Sequence, residues 1–150
     1  MTSQEILTAM QHIREVVHPR HSILTELRSR LIPIMTKRKE HNTIQDTDFA
    51  LKQKLCLENM AVIDIVDPGL SPARGRLLYE LFSAVFERAQ AAFLAGRMEQ
   101  DEFYWSVEKC KRLLTEGSLC LKNETNNANA KYEKWIKQSK ISLDSLTETA

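Results

Sequence analysis

His18 and His21 flank Pro19-Arg20, a His-x-x-His pair that sets two imidazoles close together at the start of a helix. Two imidazoles are half of a zinc site, which takes three or four ligands and a supporting shell. No nearby Cys, Asp or Glu completes the set, and His41 lies across a loop. The pair is read as ordinary helix-start histidines, and no metal ligand is assigned. Cys56, Cys110 and Cys120 are isolated. With no Cys-x-x-Cys, structural zinc modules are excluded, and three scattered thiols make no disulfide framework. They are read as buried, reduced side chains. Gly69, Gly75, Gly96 and Gly117 are each isolated as well, which excludes the phosphate-cradling and dinucleotide loops that need Gly-x-Gly spacing. No cofactor is expected.

The charged residues allow more than one use. Asp64 with Asp67, and Asp101 with Glu102, are paired carboxylates at helix ends, where capping and the helix dipole account for them without acid–base catalysis. Lys131, Lys134, Lys137 and Lys140 recur every three residues around Tyr132 and Trp135. Such a strip can bind nucleic acid or anionic lipid. Equally, it can be a solvated helix whose aromatics dock on the body. Arg74 and Arg76 can meet an acidic partner segment or simply flank a turn in water.

The element that must position most of these groups runs from Asp67 to Gly96. Asp67-Pro68-Gly69 is a turn signal, Ser71-Pro72 are the N-cap and N1 residues of a helix, and Gly96 is its C′ stop. Leu78, Phe82, Val85, Ala89 and Ala92 share one face. Tyr79, Phe86 and Phe93 form a second apolar stripe, and Leu77, Leu81 and Ala84 a third. Only Arg76, Glu80, Ser83, Glu87 and Gln90 form a continuous polar strip. A helix so poor in polar surface is covered from several sides, so this is read as the central core helix.

Around it the periodicity predicts a first helix over 3–17, with Thr2 and Glu5 as a capping box. A second starts with Pro19 at N1, and Pro33 kinks it or ends it near Ile32. A polar loop over 40–47 leads to a third helix over 48–66, with Leu51, Leu55, Val62 and Val66 inward. A fifth helix starts near Glu99 and buries Phe103, Val107, Cys110, Leu114 and Leu121. Gly117 allows a close helix approach, and Gly75 reads as a close contact between helices three and four. Residues 123–130 read as a linker, and 131–150 as one marginal helix that frays. No strand-like alternation occurs. The fold class is all-α, about five main helices in antiparallel pairs as a tetratricopeptide-like array, with domain 1–122 and a polar Asn/Lys-rich tail over 123–150.

A chain of 150 residues buries a sizeable core without metal or disulfide. Its 21 basic and 20 acidic residues create no field that favours nucleic acid or an anionic membrane, and neither partner is expected. No apolar run reaches the ~20 residues of a membrane span, and the N-terminus TSQEILTAMQHIREVV lacks a signal-peptide h-region. The expected location is cytoplasmic and/or nuclear.

Two segments carry a family resemblance. VVHPRHSILTELRSRL (Val16–Leu31) resembles the His-Pro-x-His helix pair that opens the C-terminal helical region of SMYD proteins, the SET- and MYND-domain lysine methyltransferases. Leu57–Phe103 is similar to the "vidivDPG-s-rG-lLYEL" block of the arthropod branch, sharing Asp67, Pro68, Gly69, Gly75, Leu78, Tyr79, Glu80 and Leu81. The resemblance covers roughly residues 1–122. It implies a tetratricopeptide-like domain that packs on a SET core, helps shape a peptide cleft and recruits partners. The MYND zinc ligands, the Asn-His-Ser and glycine-rich segments that hold S-adenosylmethionine, and the catalytic tyrosine region have no counterpart here. No catalytic residue is carried over, and the chain alone is not expected to be an enzyme.

The expectation is therefore a non-catalytic module that binds a peptide or partner protein, or packs on a SET/MYND core, through Arg74, Arg76, Tyr79 and Glu80. The alternative is a fragment of an active S-adenosylmethionine-dependent lysine methyltransferase that works only with its SET and MYND domains. Beginning with Met1, the chain reads as a truncated product, a gene-model fragment or a shed module.

Overall fold

A computed structural model describes residues 2–18, 20–37, 46–122 and 127–148. All regular structure among them is helical: α1 Ser3–Arg14, α2 Ser22–Lys37, α3 Asp46–Val66, α4 Pro72–Leu94, α5 Gln100–Cys120 and α6 Asn127–Glu148. The all-α class holds, with six helices among the described residues. Each helix packs on its neighbour in sequence, and α4 additionally touches α6.

Local chemistry sets most helix ends. Thr2 and Glu5 form the capping box: the Glu5 N–H donates to Thr2 Oγ1 at 3.2 Å, and the Thr2 N–H to Glu5 Oε2 at 2.6 Å. These bonds to the Thr2 backbone and side chain hold the Glu5 carboxyl below its usual range. Ser71 Oγ accepts the Arg74 N–H at 3.2 Å with Pro72 in the first turn, and Gly96 at φ 75° follows the end of the 23-residue α4. Gly69 at φ 95° makes the turn before Ser71, a conformation that favours glycine.

Several boundaries differ from the periodicity. Helix α1 stops at Arg14 instead of reaching residue 17. Helix α2 starts at Ser22, where His21 Nδ1 accepts the Ile23 N–H at 3.2 Å and so acts as the cap; Pro19 lies outside the described residues. The helix also continues through Pro33 to Lys37 instead of ending near Ile32. Leu31, Ile32 and Met35 are buried there, at about 1.5–3 kcal/mol each, which offsets the roughly 3 kcal/mol that an internal proline costs. The expected loop over 40–47 falls mostly outside the described residues. Val66 is exposed and does not share the inward face of α3.

The core runs along the array, through Ile6 and Met10 of α1, Leu24 and Leu31 of α2, Leu55 and Cys56 of α3, Leu81 and Phe82 of α4, and Val107, Cys110 and Leu114 of α5. All three cysteines are buried. The closest contacts of Gly75 are with the end of α5 instead of α3: a Cβ there would stand 2.6 Å from Leu121 Cγ and 2.9 Å from Cys120 Cβ. On α5, Gly117 faces both α4 and α6, with an added Cβ 3.5 Å from Leu78 Cβ and 3.2 Å from Ile136 Cδ1.

The largest departure is at the C-terminus. Residues 127–148 form a 22-residue helix in place of a linker followed by one marginal helix. Its Ile136 and Leu143, seven residues apart and hence on one face, are fully buried in the main core. Helix α6 lies over the polar strip of α4, so Glu80 and Ser83 are buried and Arg76 and Glu87 half-buried.

Candidate site at the α4–α6 seam

Covering a polar strip creates a demand for partners, because a buried charge or hydroxyl without one is costly. Buried and half-buried charges find partners in three junctions, each tying three helices, and the third serves the polar strip of α4. At the first, Glu58 Oε2 of α3 receives Arg14 of α1 at 2.9 Å and Arg28 of α2 at 3.3 Å, while Arg28 Nε donates to Asn59 Oδ1 at 2.6 Å. Burial holds the Arg28 guanidinium below its ordinary range, with Glu58 opposing that shift. At the second, Arg74 of α4 joins Asp64 of α3 and, at 3.0 Å, Glu116 of α5. Partial burial lowers the Arg74 value, but the hydrogen bonds to Glu116 and Asp64 outweigh it and the net shift is upward.

The third junction is the seam itself. Lys52 Nζ of α3 lies 2.9 Å from Glu80 Oε2 of α4, with side chains only 4% and 6% exposed. The Tyr132 hydroxyl of α6 donates to Glu80 Oε1 at 2.9 Å. Burial, then the Glu80 charge and this bond, push the Tyr132 hydroxyl well above its usual range. Arg76 donates to Asn129 Oδ1, fastening the first turn of α6. Beside these, Tyr79 meets three rings: Phe82 at 5.7 Å, Tyr132 at 5.6 Å edge-on and Trp135 at 5.6 Å. Its hydroxyl is hydrogen-bonded to the Ser139 side chain, and burial raises its pKa above the ordinary tyrosine value.

Next to this ring cluster α4 and α6 part to leave a cleft of about 280 Å³. Tyr79, Phe82 and Phe86 form the α4 wall, Trp135 and Ser142 stand on the α6 side, and Glu87 borders it. The Ser83 hydroxyl donates to Glu87 Oε1 at 3.2 Å, orienting that carboxylate. On the far side of Tyr132, Arg76 and Glu80 line a smaller recess beside Pro33.

Of the four expected contact residues, three therefore gather on the α6 side of α4, and Arg74 does not. Arg76 and Glu80 hold α6 down, Arg74 ties α3 to α5, and Tyr79 lines the open cleft. Phe82, Phe86, Trp135 and Ser142 were not singled out as site residues. The available signal was the spacing of Tyr132, Ile136, Ser139 and Leu143 at steps of four, three and four, one continuous helix face. The lysines stand clear of that face: Lys131 Nζ lies 4.8 Å from the Trp135 ring centre, and Lys137 pairs with Glu133 at 3.3 Å.

The two histidines of the His-x-x-His pair are spent locally. His18 Nδ1 accepts the Arg20 N–H at 3.1 Å, and His21 Nδ1 caps α2. Among the described residues no three of His, Cys, Asp and Glu come together as a metal site would need, and no helix is long and apolar enough to cross a membrane. Comparison of the chain with protein-family models, with curated proteins and with solved structures returns no match.

Proposed function

We propose that the chain is a non-catalytic helical interaction module that takes a peptide segment of a partner protein in the α4–α6 cleft. The observation that carries the reading is the cleft: an aromatic-walled opening between two helices that are otherwise pinned together by Arg76–Asn129 and Glu80–Tyr132. A groove with fixed walls binds without a large ordering cost, and grooves between paired helices suit peptides. In this reading Tyr79 touches the peptide, whereas Arg76 and Glu80 support the wall and Arg74 braces α4. The reading agrees with the resemblance to the C-terminal region of SMYD proteins, whose shared residues here make a turn (Gly69), a close contact (Gly75) and the seam (Tyr79, Glu80).

A second reading, a module or fragment that packs on a SET/MYND core, draws on a different surface. Leu57 and Ile65 of α3 are 50% and 60% exposed, and Val66 and Leu70 follow at 70% and 65%. Such an uncovered apolar stripe is what an obligate partner would bury. One experiment separates the two. Peptides selected from a displayed library on the whole chain are measured against Ser142→Trp, which fills the cleft, and Ile65→Glu. Loss of about tenfold or more on S142W alone supports the cleft. Loss on I65E alone retires it in favour of the α3 stripe.

A further inference from the structure

We propose, resting on the reading of the cleft as a peptide site, that it recognises a cationic side chain of the peptide, an alkylated ammonium head. Four aromatic residues wall the cleft, and each ring face carries the negative end of its quadrupole. Phe82 and Phe86 stack at 5.8 Å with 20° between planes, and the Tyr79–Trp135 pair completes the aromatic lining. Among the described residues the lining has one charged side chain, Glu87, and no lysine or arginine. Both features favour a cation. Within the chain, Lys131 Nζ already lies 4.8 Å from the Trp135 ring centre, a cation–π contact.

The lining also selects which cation. A bare ammonium is strongly hydrated and needs three acceptors when it leaves water. Beyond Glu87, the cleft supplies ring surface, the Gln138 amide and three serine hydroxyls, each of which already holds a hydrogen bond within the chain. An alkylated ammonium gives up far less hydration and presents methyl groups to the ring faces, the use to which aromatic clusters are best suited.

The test uses the whole chain and its two tryptophans. Trp135 lines the cleft, whereas Trp105 on α5 is 73% exposed and serves as the internal reference. The indole N–H signals are followed by NMR during titration with a short peptide carrying trimethyl-lysine, with the same peptide carrying the uncharged tert-butyl isostere, and with tetramethylammonium chloride. The expected result is a shift of the Trp135 signal alone, with the charged peptide binding about tenfold more tightly than the isostere. Glu87→Gln weakens the charged peptide and leaves the isostere unchanged. Equal affinity for charged and uncharged peptides overturns the cation and leaves the peptide site standing. Tetramethylammonium binding as tightly as the peptide overturns the peptide source. If neither peptide moves Trp135 while a library-selected peptide does, the cation is wrong and the cleft reading survives. If none moves it, both fall.

Discussion

Replacing Glu80 with alanine removes the carboxylate 2.9 Å from the Lys52 ammonium and the acceptor of the Tyr132 hydroxyl in one step. The Lys52 side chain, only 4% exposed, keeps its position on α3 and loses that counter-charge. Breaking a buried pair from one side costs about 3–5 kcal/mol, because the remaining charge stays desolvated. Against a total stability of roughly 5–15 kcal/mol, that is about a fifth or more of what holds a typical domain together. With a urea dependence of about 2 kcal/mol per molar, the midpoint falls by roughly 2 M, readable by circular dichroism at pH 7. Two companions separate charge from shape. Tyr132→Phe keeps the ring and deletes one bond to a charged group, about 1.5–3 kcal/mol. The triple variant Lys52→Met/Glu80→Leu/Tyr132→Phe removes both charges and the hydroxyl that would lose its acceptor, and it recovers most of the loss or exceeds the parent chain, because apolar groups of similar volume are often neutral or stabilising there. Should Glu80→Ala shift the midpoint by no more than a surface substitution does, about 0.5 kcal/mol, the carboxylate is solvated and α6 does not cover it.

Two further outcomes follow from the packing. Gly75→Ala gains about 1 kcal/mol of helix propensity but drives a Cβ into Leu121 and Cys120, so net destabilisation of about 1–2 kcal/mol is expected in urea unfolding, and a stabilised variant would refute the close α4–α5 contact. Burial pushes the Cys56 and Cys110 thiols up from 9.0 to about 12, so the folded chain holds protons that the unfolded chain releases near pH 9. Their contribution is intact below about pH 9 and is lost as pH rises toward 12; alkaline titration of stability, with a thiol reagent that reacts only after unfolding, checks the sign.

How much of this was legible beforehand depends on the kind of interaction. The capping box of α1, the Ser71-Pro72 start of α4, the glycine after it and the burial of all three cysteines follow from residues within one turn of each other or from one helix face. Helix α6 was only half legible. Tyr132, Trp135 and Ile136 were visible as an apolar group, but a mostly polar 22-residue segment has little reason to be helical until Ile136 and Leu143 have a core to enter. The site suffered from the same gap. With α6 taken as a tail, Arg76 and Glu80 looked like groups reaching for a partner, and their partner is the chain's own last helix.

The sequence by itself determined the all-α class, the apolar faces and most helix ends, because periodicity and capping are local and each is decided by a few neighbouring side chains. Only the tertiary structure decided which charges are buried. Glu80 sits on the strip of α4 that reads as polar, and no local pattern places the charges of Arg28 and Lys52 inside; each became interior because another helix supplied both the cover and the compensating group. Burial of an ion depends on a match between distant segments, here α3 with α4 and α6, and no stretch of one helix contains that information. The cleft is the same kind of fact: it exists where two helices pinned at Arg76 and Glu80 diverge around the rings of Tyr79 and Trp135.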